Sequence, residues 1–217
     1  MGDRAAKNAL FDQFARVGKA LSSGKRLELL DLLAQGERTV DALARASELG
    51  LTTASAHLQT LKAANLVTTR RDGTRVFYRL AGTDVAQLLA LSRAVASTHL
   101  PDVEAAISAY LGPETEQVTR AELLERIQTG QVTVIDVRPR EEYASGHIPA
   151  AVSIPLDELA DHLAELRDDH DIVAYCRGAY CVLAHEAVRL LTDHGHTAMR
   201  LADGMLEWRL ADLPVAT

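Results

Sequence analysis

Cysteine is almost missing from this chain. Of 217 residues only Cys176 and Cys181 are cysteines, so all thiol chemistry is confined to one six-residue window. In a reducing compartment both should rest as free thiols, which argues against a purely structural disulfide. Long apolar runs are missing too. None reaches the ~18 residues that a membrane-spanning helix needs. The opening residues, Met1-Gly2-Asp3-Arg4-Ala5-Ala6-Lys7, hold no apolar stretch leading to a cleavage site. The expectation is therefore no signal peptide, no membrane and a cytoplasmic location. No internal repeat and no low-complexity tract interrupts the text.

What is present suffices for packed cores, with 47% hydrophobic residues. The net charge of −7 hides an asymmetry. Residues 1–100 carry 14 Lys+Arg against 9 Asp+Glu, net +5; residues 101–217 carry 9 against 21, net −12. Halves of opposite charge suggest two domains with different partners.

The first half reads as helices. Leu10, Phe11, Phe14, Val17 and Leu21 recur at helical spacing. Ser23 stands where it would cap a second helix carrying Leu27, Leu29, Leu30, Leu32 and Leu33, which Gln35-Gly36 would end. Thr39 opens a third helix, and Thr52 or Thr53 a fourth that runs through Ala64. Leu66 to Thr69 and Val76 to Leu80 read as strands, with Asp72-Gly73 as a hairpin signal between them. Thr83 caps a further helix that Pro101 interrupts, and helical text resumes from Asp102 to Leu111.

Helices, a turn, a helix and a basic hairpin in this order spell a winged helix-turn-helix, in which the second helix of the turn pair enters the major groove. On residues 52–64, Ala54, Leu58 and Leu61 are spaced to face inward. Thr52, Thr53, Ser55, His57, Gln59 and Thr60 occupy much of the remaining face, with side chains suited to base edges or phosphates. Arg70, Arg71, Arg75 and Arg79 cluster in the wing and suit phosphate or minor-groove contact. Arg26 to Leu33, Thr39 to Ala44, Ser55 to Leu61, Leu66-Val67 and Tyr78-Arg79-Leu80 together resemble the ArsR family of bacterial winged-helix repressors. The resemblance covers roughly residues 8–97. It implies a homodimer formed through the first and last helices, a double-stranded DNA operator, and repression relieved by an inducer. Many members of that family bind metal through cysteines on the third helix, which here carries Leu43, Ala44 and Arg45. No metal and no cofactor is expected.

Gly112-Pro113-Glu114-Thr115-Glu116-Gln117 is short, polar and Gly/Pro-bearing, and reads as a linker between a domain at 1–111 and one at 118–217. Thr119 and Glu122 form a capping-box pattern. Apolar runs at Val132 to Val137, Ala151 to Ile154 and Ile172 to Tyr175 alternate with helical text, which argues for an α/β domain with a mainly parallel sheet. The third run ends in Cys176-Arg177-Gly178-Ala179-Tyr180-Cys181, and a helix follows. A cysteine between a strand and a helix N-terminus meets backbone N–H groups that favour negative charge, so a depressed Cys176 pKa is expected. Arg177 adds a positive charge that would attract an anionic donor.

Val134 to Arg138, Glu141 to Ala151, Tyr175 to Cys181 and Gly204 to Trp208 stand in the order found in rhodaneses. Residues 117–215 thus resemble a whole rhodanese sulfurtransferase module. The resemblance implies that Cys176 accepts a sulfane sulfur as a persulfide, cradled by the backbone of Arg177, Gly178, Ala179, Tyr180 and Cys181. It gives Asp136, Arg138 and His147 supporting roles. No Arg closes the loop, which disfavours phosphate or arsenate chemistry. Cys181 would attack the persulfide as a resolving thiol, or else serve as a small packing residue.

The combined expectation is a two-domain chain: a mainly α winged helix-turn-helix, then an α/β rhodanese-like domain with a mainly parallel sheet. Its expected function is a sulfur- or redox-responsive transcription regulator, responding to thiosulfate, a persulfide or a polysulfide. Two alternatives stay open. One is a working sulfurtransferase with secondary DNA binding. The other is an arsenical or soft-metal sensor using Cys176 and Cys181.

Overall fold

The leucine spacing of the first half becomes a helical core. A computed structural model describes residues 3–130, 132–167 and 169–217. Helices α1 (Arg4–Leu21), α2 (Gly24–Gln35), α3 (Val40–Ala46) and α4 (Leu51–Ala63) precede a hairpin of β2 (Val67–Asp72) and β3 (Arg75–Leu80). Leu29, Leu30, Leu43, Leu58, Leu61 and Tyr78 pack with Val85 and Leu89 from the start of α5 (Thr83–His99). Thr39 caps α3 by accepting from the Ala42 N–H. Ser23 occupies the N-cap position of α2, but its side chain makes no cap bond.

The hairpin register pairs Asp72 with Arg75, so the two turn residues are Gly73 and Thr74 rather than Asp72 and Gly73. Gly73 has φ +57°, and Thr74 is not in the left-handed region. Glycine at the first of two central positions is the type II′ preference. The strands run further toward the turn than their apolar residues do. A two-residue strand β1 (Arg38–Thr39) joins β3 to make the order β1-β3-β2; it is too short to leave a periodic signal.

Contacts divide the chain into Met1–Leu89 and Ala90–Thr217. The second unit opens with the later turns of α5 and with α6 (Asp102–Leu111), whose N-cap residue is Pro101. Arg189 donates to the carbonyls of Leu111 and Pro113, and Thr115 meets His185, so residues 111–115 are tied down along this unit. Gln117 lies in a strand, β4 (Gln117–Val118).

The remaining elements are α7 (Arg120–Thr129), β5 (Val132–Asp136), α8 (Arg140–Ala144), β6 (Val152–Ser153), α9 (Leu159–His162), β7 (Asp171–Tyr175), α10 (Val182–Asp193), β8 (Ala198–Leu201) and α11 (Met205–Leu210). Thr119 and Glu122 close a reciprocal capping box on α7. The five strands are parallel in the order β4-β8-β7-β5-β6. Apolar layers cover both faces of the sheet, as parallel sheets require. Strand β8 was not foreseen; its four residues include Arg200 and read weakly. No helix among the described residues is long and apolar enough to cross a membrane.

The C-terminal ends of β5 and β7 are fixed by a buried ion pair. Asp136 and Arg138 are both fully buried, 2.6 Å apart. Arg138 also donates to the Gly146 carbonyl, and Tyr175 donates to Asp136 at 2.6 Å. The Tyr175 hydroxyl in turn accepts from the Ile148 N–H. Removing one member of such a pair leaves an uncompensated buried charge. Arg138→Ala should therefore destabilise the second unit by about 3–5 kcal/mol in a denaturant titration. A loss under about 1 kcal/mol, the range of a surface pair, would show that the pair is not a keystone.

Candidate sulfur site and DNA-reading surface

Strand β7 is apolar up to Tyr175 and delivers Cys176, 2% exposed, to the carboxyl end of the sheet. The chain then turns, with the Cys181 N–H donating to the Gly178 carbonyl at 3.1 Å, and enters α10 with Cys181 at its N-cap position. The loop is braced from behind by α11. The Met205 N–H donates to the Cys176 carbonyl and the Leu206 N–H to the Arg177 carbonyl, both at 2.9 Å. This works only because residue 204 is glycine. A Cβ there would stand 2.3 Å from the Gly178 nitrogen and 2.7 Å from the Cys176 oxygen.

Two sulfurs share the resulting cradle. Backbone amides act on both: those of Gly178 and Ala184 favour charge on Cys176, and those of Arg177 and Leu183 favour it on Cys181. The Cys176 S–H donates to the Cys181 carbonyl at 3.3 Å, with the Gly178 carbonyl 3.8 Å away, and the two thiols interact electrostatically. Their electrostatics diverge from the sequence expectation of a depressed Cys176. Burial pushes the Cys176 thiol up, and its bond to Cys181 adds to that. Cys181 is pulled down, first by the hydrogen bond from Cys176, then by the Arg177 charge and the loop amides. Cys181 is thus the readier of the pair to ionise.

The Arg177 guanidinium turns toward Glu142, meeting its carboxylate at 2.7 and 3.0 Å. Glu142 is 1% exposed, so much of the Arg177 charge is spent on the fold rather than offered to a donor. Gly178 and Ala179 continue the loop, and the half-buried Tyr180 bonds the Ser97 hydroxyl at 3.0 Å. Asp136 and Arg138 sit in the buried pair under the sheet end. His147 stacks on Tyr143 at 3.7 Å, and its Nδ1 lies 3.1 Å from the Tyr143 carbonyl. Burial holds His185, one turn into α10, down to about 4, so it stays neutral.

On the first unit, Thr52, Thr53, Gln59 and Thr60 are exposed along α4, with Ser55 and His57 half-buried. Gln59 donates to the Tyr78 hydroxyl, and Thr60 bonds back to the Ala56 carbonyl. Arg71 and Arg75 are exposed on the hairpin. Arg70 instead meets Glu37 at 2.5 Å and stacks over Phe77. Its charge is already compensated by Glu37.

Comparison with known proteins bears on both halves. The family model described as "Bacterial regulatory protein, arsR family" matches residues 23–69, and the rhodanese-like domain model matches 119–211. The HTH-type transcriptional regulator Rv0324 of Mycobacterium tuberculosis is 61% identical over 214 residues, 99% of this chain and 95% of that protein. The chain belongs to the arsR family of bacterial regulators. It is an ArsR-family transcription regulator that carries a C-terminal rhodanese domain. A sulfurtransferase of Allochromatium vinosum is 30% identical over 88 residues, 40% of this regulator and 80% of that protein. A solution structure of the homodimeric winged helix-turn-helix DNA-binding domain of Mb0332 from Mycobacterium bovis, fragment 1–100, is 60% identical. It covers 46% of this regulator and 93% of that fragment, with a TM-score of 0.43.

Reading the regulator's sequence by type missed Glu142, Glu207 and Ser97. Glu142 lies in an acidic pair that looks like a solvated helix start. Glu207 accepts from the Gly204 N–H at 3.0 Å, and its carboxylate lies against Gly178. Its spacing three residues after Gly204 was the available signal, since that is the capping-box interval.

The thiol order is directly measurable. Alkylation with limiting iodoacetamide near pH 7, followed by peptide mass spectrometry, should label Cys181 several-fold faster than Cys176, because the thiolate is the nucleophile. Equal labelling, or labelling of Cys176 first, would reverse the assignment.

Proposed function

We propose that this regulator is sulfur-responsive, and that Cys176 and Cys181 form its switch. The observation that carries this reading is that the two cysteines meet in one tight loop: the Cys181 N–H closes a turn onto Gly178 at 3.1 Å, and the buried Cys176 Sγ lies 3.3 Å from the Cys181 carbonyl. A single structural cysteine needs no such arrangement. The ligand class is a sulfane-sulfur donor: thiosulfate, an organic persulfide or a polysulfide.

The chemistry follows from the pair. Cys176 attacks the outer sulfur of the donor while its proton moves to the Cys181 thiolate. The donor leaves as its own thiolate or, from thiosulfate, as sulfite, and Cys176 becomes a persulfide. The Cys181 thiol then attacks the inner sulfur, and its proton passes to the departing outer sulfur. Sulfide leaves, and a Cys176–Cys181 disulfide remains. The sulfane sulfur is reduced to sulfide as the two thiols are oxidised, so no further oxidant is needed. The product persists until a reductant resets it, which suits a signal.

For the DNA half, the reading is a cytoplasmic homodimer on a double-stranded operator, with α4 in the major groove and Arg71 and Arg75 on the backbone. Exposed Leu10, Phe11 and Phe14 on α1, and exposed Leu91 and Val95 on α5, support self-association. A ligand-driven change in affinity requires that the modified chain favour a different arrangement of the dimer.

A second reading makes the rhodanese half a working sulfurtransferase, and likeness to the Allochromatium sulfurtransferase favours it. One experiment separates the two: titration of the fragment upstream of the protein's own gene at fixed salt, with reduced and polysulfide-treated protein, and with Cys176→Ser alongside. Treatment should change affinity in the wild type and leave Cys176→Ser unmoved. Equal affinity in both states would end the switch reading and leave the enzyme reading standing.

A further inference from the structure

The loop between the two cysteines touches a helix that leads toward the DNA reader. Tyr180 is covalently next to Cys181, and its hydroxyl lies 3.0 Å from that of Ser97 on α5. Arg93, one turn earlier on α5, also draws on the Glu207 carboxylate, which lies against Gly178. The Tyr180 contact joins the loop to this helix directly, and the Arg93 charge acts on it only through Glu207. A small cleft of about 170 Å³ lies between Tyr180 and residues Arg93, Ala96, Ser97, Val103 and Ile107, which leaves the tyrosine ring room to shift. Residues Val85 and Leu89, at the start of the same helix, are core residues of the first unit.

We propose that the Tyr180–Ser97 hydroxyl contact is the latch through which α5 reads the state of the Cys176–Cys181 pair. The proposal rests on the sulfur-switch reading and names its transmitting residues. Both cysteines are free thiols, so their sulfurs stand beyond the ~2.05 Å of an S–S bond, and disulfide formation draws Cys181 toward Cys176. Tyr180 moves with it, because the tight Gly178–Cys181 turn leaves no slack between them. An exposed hydroxyl pair is readily exchanged for water, so the latch can open without disturbing the buried cradle. A deeply buried contact would resist both opening and resetting.

The test uses the full-length protein and sodium tetrasulfide. Ser97→Ala removes the latch hydroxyl without touching the cradle. Two quantities are followed: sulfide released per chain, and the ratio of DNA affinities before and after treatment. The wild type should show a ratio on the order of tenfold, within the usual range of allosteric coupling. Ser97→Ala should release sulfide as the wild type does while its ratio falls below about twofold. Tyr180→Phe should lower the ratio equally, and the double variant no further, as expected for two halves of one contact. A wild-type-sized ratio in Ser97→Ala overturns the latch while the sulfur switch survives. A wild type without any change in affinity removes the switch reading, and the latch with it.

Discussion

The sulfur site depends on one close approach of backbone to backbone. Gly204 lies so near Gly178 and the Cys176 carbonyl that no side chain fits between them. That approach lets the α11 N-terminus donate to the carbonyls of Cys176 and Arg177. The same contact fixes the turn that brings Cys181 back beside Cys176. Beneath it, the Asp136–Arg138–Tyr175 cluster holds the ends of β5 and β7 in place. The cradle is thus built from the regular sheet upward, rather than from the loop alone.

Burial decides how the two sulfurs differ. Cys176 lies within the apolar layer against α10, where a lone thiolate is costly. Cys181 sits at the helix start, more exposed, with the Arg177 charge near it. The half-buried Cys181 is therefore the readier of the two to ionise, and the buried Cys176 the more reluctant. A buried nucleophile that is neutral at rest is protected from random oxidants, because reactivity follows thiolate character and access.

Much of this was legible in the residues. The leucine spacing of α2 and α4 gave the first core, and the apolar runs at β5 and β7 gave the parallel sheet. The Thr119–Glu122 capping box was readable outright, as was Cys176 at a strand end. Three things were not readable, for physical reasons. Short strands such as β1 and β4 have no periodicity to detect. The Cys176 ionisation depends on how deeply the sulfur is buried, and spacing does not carry depth. The partners of Arg70 and Arg177, Glu37 and Glu142, lie over thirty residues away in sequence. Charge counts alone made both arginines look free for a ligand.

We propose that one sulfane sulfur converts the thiol pair into a disulfide by way of Cys176. The most direct measurement is the mass of the peptide spanning both cysteines after polysulfide treatment, in the wild type and in Cys181→Ser. An internal disulfide with sulfide released is expected in the wild type, and one added sulfur atom on Cys176 in the variant. Sulfur found on Cys181 alone in the wild type, or an unmodified Cys176 in the variant, would contradict it.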